Sequence, residues 1–164
     1  MKTRFYIILL VTVITVALPL FTAASPLAGI AISEASGPEA QVQGVLPDDL
    51  QWRPHPTIAG VQSAIALGNP SNSELYVLFG KMETGATFPA HIHPDNRITT
   101  VLSGMMYYGI GEQLDLAHVQ PYPAGSVVYT PAGAPHFMWA GDRETVMQEV
   151  GFGPTGLTFT TDIN

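Results

Sequence analysis

From residue 50 onward the chain never runs more than eight residues without a turn signal, which most restricts the folds open to it. Short segments rich in β-branched and aromatic residues are separated by the turn-forming runs GNPSNS, ETGA, HPDN and PAGAP. The pattern predicts strands at 61–67, 75–82, 87–93, 97–102, 105–109, 126–130, 136–140, 145–150 and 157–160. Only EQLDLA, 112–117, has the makings of a helical turn, and one further strand is expected near 42–45. No internal repeat is visible. Many short strands at close spacing pack as an all-β sandwich or barrel, here as a single domain.

The first two dozen residues are of another kind. Lys2 and Arg4 precede an apolar run from Phe5 to Phe21, and Thr22-Ala23-Ala24-Ser25 follows. A basic start, an apolar stretch and a small-residue exit predict a Sec-type signal peptide over 1–24, cut after Ala24. The protein is therefore expected outside the cytoplasm, periplasmic or secreted, touching membrane only if that segment stays uncleaved. Residues 25–47 read as a flexible arm and 48–164 as the barrel domain. With no cysteine, disulfides, thiol chemistry and a lipid-anchored cysteine are excluded. After the expected cut, thirteen acidic residues face only Arg53, Lys81, Arg97 and Arg143, a net charge of about −9. Such a chain offers nucleic acid no basic footprint.

Three histidines carry the chemistry. His91 and His93 alternate on a predicted strand and so share a face, inward if Phe88 and Ile92 face outward or line the rim. His136 follows the rigid turn Pro131-Ala132-Gly133-Ala134-Pro135, which aims it at the mouth of a barrel. Neutral imidazole is the commonest ligand for zinc, iron, copper and nickel.

At these residues the chain resembles the cupins. Their first motif, G-x5-H-x-H-x3-E-x6-G, is met by Gly85, His91, His93 and Gly104, with Arg97 at the glutamate position. Their second, G-x5-P-x-G-x2-H-x3-N, is met by Gly125, Pro131, Gly133 and His136, with Ala140 replacing asparagine. The resemblance implies a single-domain cupin β-barrel, a double-stranded β-helix or jelly roll. Its three histidines would hold a divalent metal cation (iron, zinc, manganese, nickel or copper), and a homodimer through an outer sheet face would fit the family.

Arg97 is the departure, because a guanidinium has no free lone pair to give a metal. At about 6 Å from a divalent ion it would feel about 5 kcal/mol of repulsion at an effective dielectric near 20. Three arrangements satisfy it. It turns outward to pair with Asp95, or it faces inward and shares an anionic substrate with the metal, or the histidines and Arg97 form a metal-free anion pocket. Asp95 has a second reading as a carboxylate ligand in an H-x-D…H set, although its proline turn suits a capping role better.

Gln148, sharing a strand face with Val146 and Val150, is expected to point into the pocket with Arg97. Tyr129 is a candidate substrate contact, with core or dimer surface as its plainer role, which Tyr107, Tyr108, Phe137 and Trp139 share. His55 and His118 are expected at the surface. Glu83 and Glu149 are conceivable bases, but alternation sets Glu149 opposite Gln148. The function expected is a metalloenzyme acting on a small, anionic organic molecule, dioxygenase-, isomerase- or decarboxylase-like. The alternative is a cupin that binds a small molecule or anion without transforming it. A chain that crosses the membrane unfolded acquires its metal outside, where affinity order favours copper or zinc. Zinc is expected on isolation and iron for activity.

Overall fold

Burial alternates along Arg97–Ser103, the signature of a strand with one face on a core. The same period runs through Thr145–Phe152, whose odd-numbered residues are all buried. The protein is described here from residues 42–160 of a computed structural model; the expected signal segment and most of the expected arm lie outside those residues. The strands are β1 (Arg53–Pro54), β2 (Val61–Leu67), β3 (Leu75–Met82), β4 (Thr87–Ile92), β5 (Arg97–Ser103) and β6 (Met105–Ile110). They continue with β7 (Gln120–Pro123), β8 (Val127–Thr130), β9 (His136–Trp139), β10 (Thr145–Phe152) and β11 (Thr158–Phe159).

All nine strands expected from the sequence are present, with ends shifted by a few residues, and β1 and β7 are additional. β7 reads QPYP, and its two prolines conceal it in the sequence. It survives because it is an edge strand, where missing N–H groups cost the sheet little. Two expectations fail. Residues 42–46 form no strand, with Val42 fully exposed and unpaired, and a single 3-10 turn follows at Pro47–Asp49. At 112–117 there are bends and a turn instead of a helical turn, because Asp115 accepts from the Ala117 N–H and the His118 ring.

Every ladder is antiparallel. One sheet has the order β1-β2-β3-β10-β5-β8 and the other β11-β4-β9-β6-β7. Their inner faces meet in one core: Val61, Met82, Val101, Val128 and Met147 from the first pack with Phe88, Met106, Tyr108 and Met138 from the second. The all-β cupin architecture implied by the resemblance is the one the chain adopts.

One irregularity positions the site. Along the β4–β9 ladder, Phe88 pairs with Met138 but His91 pairs with His136, so β4 carries one residue more than its partner. That bulge resets the alternation and brings both Phe88 and His91 to the inner face. Phe88 therefore does not face outward; its ring lies 4.5 Å from that of His91.

Candidate metal centre

His91 and His136 face each other across the β4–β9 ladder, and His93 follows directly on β4. The turn that aims His136 is tied to the other two, because Gly133 donates its N–H to the His93 carbonyl at 2.8 Å. Gly133 does so at φ +75, a left-handed backbone that suits glycine.

Each ring is fixed by its Nδ1. That atom lies 2.7 Å from the Pro89 carbonyl in His91, 2.6 Å from that of Gly156 in His93 and 2.9 Å from that of Ala134 in His136. A carbonyl only accepts, so all three Nδ1 atoms carry the proton and all three Nε2 atoms keep a lone pair. The ligand atoms lie within 4.8 Å of one another. His91 is fully buried and its Nε2 has no partner among the described residues. Burial pushes His91 down to about 2 and His93 to about 4, with the charges of His136 and Arg97 adding to the respective shifts; burial also lowers His136. All three are neutral at physiological pH. An orphaned, buried nitrogen among convergent lone pairs, each with an oriented Nδ1, fits a divalent metal. Tyr108 backs the set, stacked on His136 at 5.2 Å and hydrogen-bonded to the Thr130 hydroxyl at 2.7 Å.

Arg97 pairs with Asp95, as the first expected arrangement had it, but does not turn outward to do so. It points inward, 4 % exposed, yet it is already paired. Nη1 donates to Glu149 Oε2 at 2.9 Å; Nη2 donates to Asp95 Oδ1 at 3.1 Å and to Thr155 Oγ1 at 2.7 Å. Thr155 and Tyr76 also donate to Asp95, the latter at 2.6 Å. Burial alone would raise Asp95, but the donors Thr155, Tyr76 and Arg97 outweigh it and hold the carboxyl below its usual value. Asp95 is thus spent on the arginine and lies outside the histidine group that can hold a metal. The network fits only because residue 151 is glycine: a Cβ there would collide with the Tyr76 hydroxyl and come within 2.8 Å of Asp95 Oδ2.

The placement of Gln148 and Glu149 is the reverse of the expected one. Glu149 is 8 % exposed and lines the cavity, whereas Gln148 is on the outer face of β10 beside Val146 and Val150. Those two valines mislead because the outer face of this sheet is itself apolar. The usable signal was on the other phase, where Met147 and Gly151 accompany Glu149. Tyr129 also faces out, 61 % exposed on β8, and does not line the cavity. His118 is exposed as expected. His55 is not: it is half-buried at the cavity wall, its ring edge-on to Phe88 at 5.5 Å.

The cavity measures about 280 Å³, and His55, Ser63, His91, His93, Arg97, Glu149 and Thr155 supply its polar wall. Among the described residues Glu149 is the one carboxylate lining it. Its Oε2 is anchored by Arg97, while Oε1 has only a long 3.4 Å contact from the Thr99 hydroxyl.

Two facing antiparallel sheets with three histidines meeting between them define a β-barrel whose interior could hold a metal ion. Residues 78–150 match the family described as Cupin domain, and the chain carries a cupin-superfamily domain. No curated protein matches it. Among solved structures it is similar to the polyketide cyclase RemF from Streptomyces resistomycificus, at TM-score 0.64 and 15 % identity over 75 % of this chain and 88 % of that one. It is also similar to KdgF from Halomonas sp. (TM-score 0.54, 18 % identity, 69 % and 96 % covered). A third is the DMSP lyase DddQ from Ruegeria pomeroyi (TM-score 0.55, 19 % identity, 71 % and 64 % covered). At these identities the likeness is one of fold.

Proposed function

We propose that the protein is an exported, metal-dependent enzyme that moves protons on a small, anionic organic molecule. His91, His93 and His136 are the metal ligands and Glu149 is the proton carrier. The observation that carries this reading is the meeting of three Nε2 lone pairs beside a cavity carboxylate with one oxygen anchored and the other nearly free. A metal at the histidines supplies a Lewis acid for a carbonyl or carboxylate oxygen. Glu149 takes a proton from a carbon next to such a group and returns it at another atom, which is isomerase or lyase chemistry and consumes no oxidant. That internal base favours proton transfer over the dioxygenase-like alternative. A cyclase and a lyase among the structural neighbours are in keeping with it.

Charge supports an anionic ligand. Arg97 with Asp95 and Glu149 sums to −1, and a divalent ion brings the site to +1. The same pairing weighs against a metal-free anion pocket, since the guanidinium is already neutralised by two carboxylates. Arg97 becomes the residue that holds Glu149 in place. Affinity order favours copper or zinc over iron and manganese, and of these zinc is the metal expected on isolation. Export rests on the sequence of residues 1–24. A homodimer is supported by the outer face of the larger sheet, where Ile98, Val127, Tyr129 and Phe152 are each at least 45 % exposed.

Native mass spectrometry of untagged protein from the exporting compartment tests these points together. The expected species starts at Ser25, is dimeric and carries about one metal per chain, which His91→Ala loses and Glu149→Gln keeps. Metal-free wild type after zinc supplementation would overturn the metalloenzyme reading.

A further inference from the structure

The cavity does not end at the histidines. An inner branch of about 80 Å³ continues between the sheets, walled by Val61, Leu78, Met82, Phe88, Met138 and Met147. Ser63, Leu78, Phe88, Met138, Glu149 and His55 line both parts, so the two are continuous. The polar groups bordering the branch, among them Ser63 and Glu149, leave most of its wall aliphatic, thioether or aromatic. Water needs two to four polar partners to be held in such a space, whereas apolar matter needs none. Methionine adapts its shape to what it packs against.

We propose that the molecule taken by this site is amphiphilic. Its polar, carbonyl- or carboxylate-bearing head lies at the histidine end and an unbranched or cyclic hydrocarbon part fills the inner branch. This deepens the functional reading above and rests on it for the position of the head. A water-sized group takes about 10–15 Å³ of such space, so the branch admits on the order of five carbon atoms. Gly80 sets that length. It is paired with Met147 across the β3–β10 ladder, and a Cβ at 80 would come within 3.2 Å of Met147 Cγ, forcing the thioether into the branch. Ser63, exposed at the junction of the two parts, controls entry.

The test uses straight-chain 2-oxo acids of three to eight carbons, and 1-alkanols of the same lengths, added to zinc-loaded and metal-free protein carrying 13C-methyl methionine. Affinity is expected to rise about fourfold per added methylene, the transfer free energy of a CH2 group, and then to level off. The methyl signals of Met138 and Met147 should move with chain length while that of Met105 stays. Gly80→Val is expected to bring the levelling-off two carbons earlier. Ser63→Phe, which changes an exposed residue and spares the core, should abolish the length dependence. Affinity flat with chain length, or unchanged length dependence in both variants, overturns the proposal. The metal reading fails separately: if zinc does not bind but the alkanols still show the length dependence, the branch stands and the metalloenzyme does not.

Discussion

Arg97 and Glu149 form a pair whose two halves are worth little apart. Removing one partner of a buried ion pair leaves the other charged and unpaired, at a cost of about 3–5 kcal/mol. Arg97→Leu is expected to lower unfolding stability by that amount in urea titrations, since it strands Asp95 as well as Glu149. Glu149→Gln keeps an acceptor for the arginine and should cost about 1–2 kcal/mol. In the double variant the losses should fall short of additive by more than about 1 kcal/mol, the mark of a direct interaction. Additive losses would show that the two act independently. Arg97→Glu, which restores the residue found in the family motif, does not recreate a metal ligand here. It sets a third carboxylate beside Asp95 and Glu149, and its main effect should be destabilisation.

The bulge in β4 decides which residues join the histidine group. A ladder with an even count would send Phe88 and His91 to opposite faces, because side chains alternate. The extra residue lies between the Phe88–Met138 and His91–His136 pairs. Inserting one alanine between Phe137 and Met138 gives β9 the matching residue, regularises the ladder and leaves His91 and Phe88 competing for the inner face. The expected result is a protein with an unchanged strand signature in circular dichroism but no bound zinc. Retained stoichiometric zinc would mean that the bulge is not what presents the histidines.

The whole molecule should register the three buried histidines in its response to pH. Their folded-state values lie below the ordinary 6.5, at about 4 for His93 and about 2 for His91. Below pH 6.5 the unfolded chain takes up protons that the folded one refuses, so stability falls as pH drops. The loss for the metal-free protein should approach about 1.4 kcal/mol per pH unit per histidine. It begins near pH 6.5, ends near pH 4 for His93 and continues toward pH 2 for His91. Asp95, also held low, adds its loss at the acid end of the same range. Urea midpoints for metal-free protein at pH 7, 6, 5 and 4 measure this directly. Midpoints level from pH 7 to 5 would mean that the histidines are solvated and free to charge.

The sequence by itself determined the strands, the all-β class and the three histidines. Strand period, turn residues and the proline-glycine run before His136 are local properties, expressed in the order of neighbouring residues. Only the tertiary structure decided which way the decisive side chains face. The outer face of the larger sheet is apolar, so hydrophobicity could not tell inside from outside along β10, and Glu149 and Gln148 exchanged places. The β4 bulge appears only when β4 is laid against β9. Arg97 found its partners two residues away at Asp95 but also 52 and 58 residues away, at Glu149 and Thr155. Pairings at such separations arise from sheet register and loop closure, and no local pattern records them.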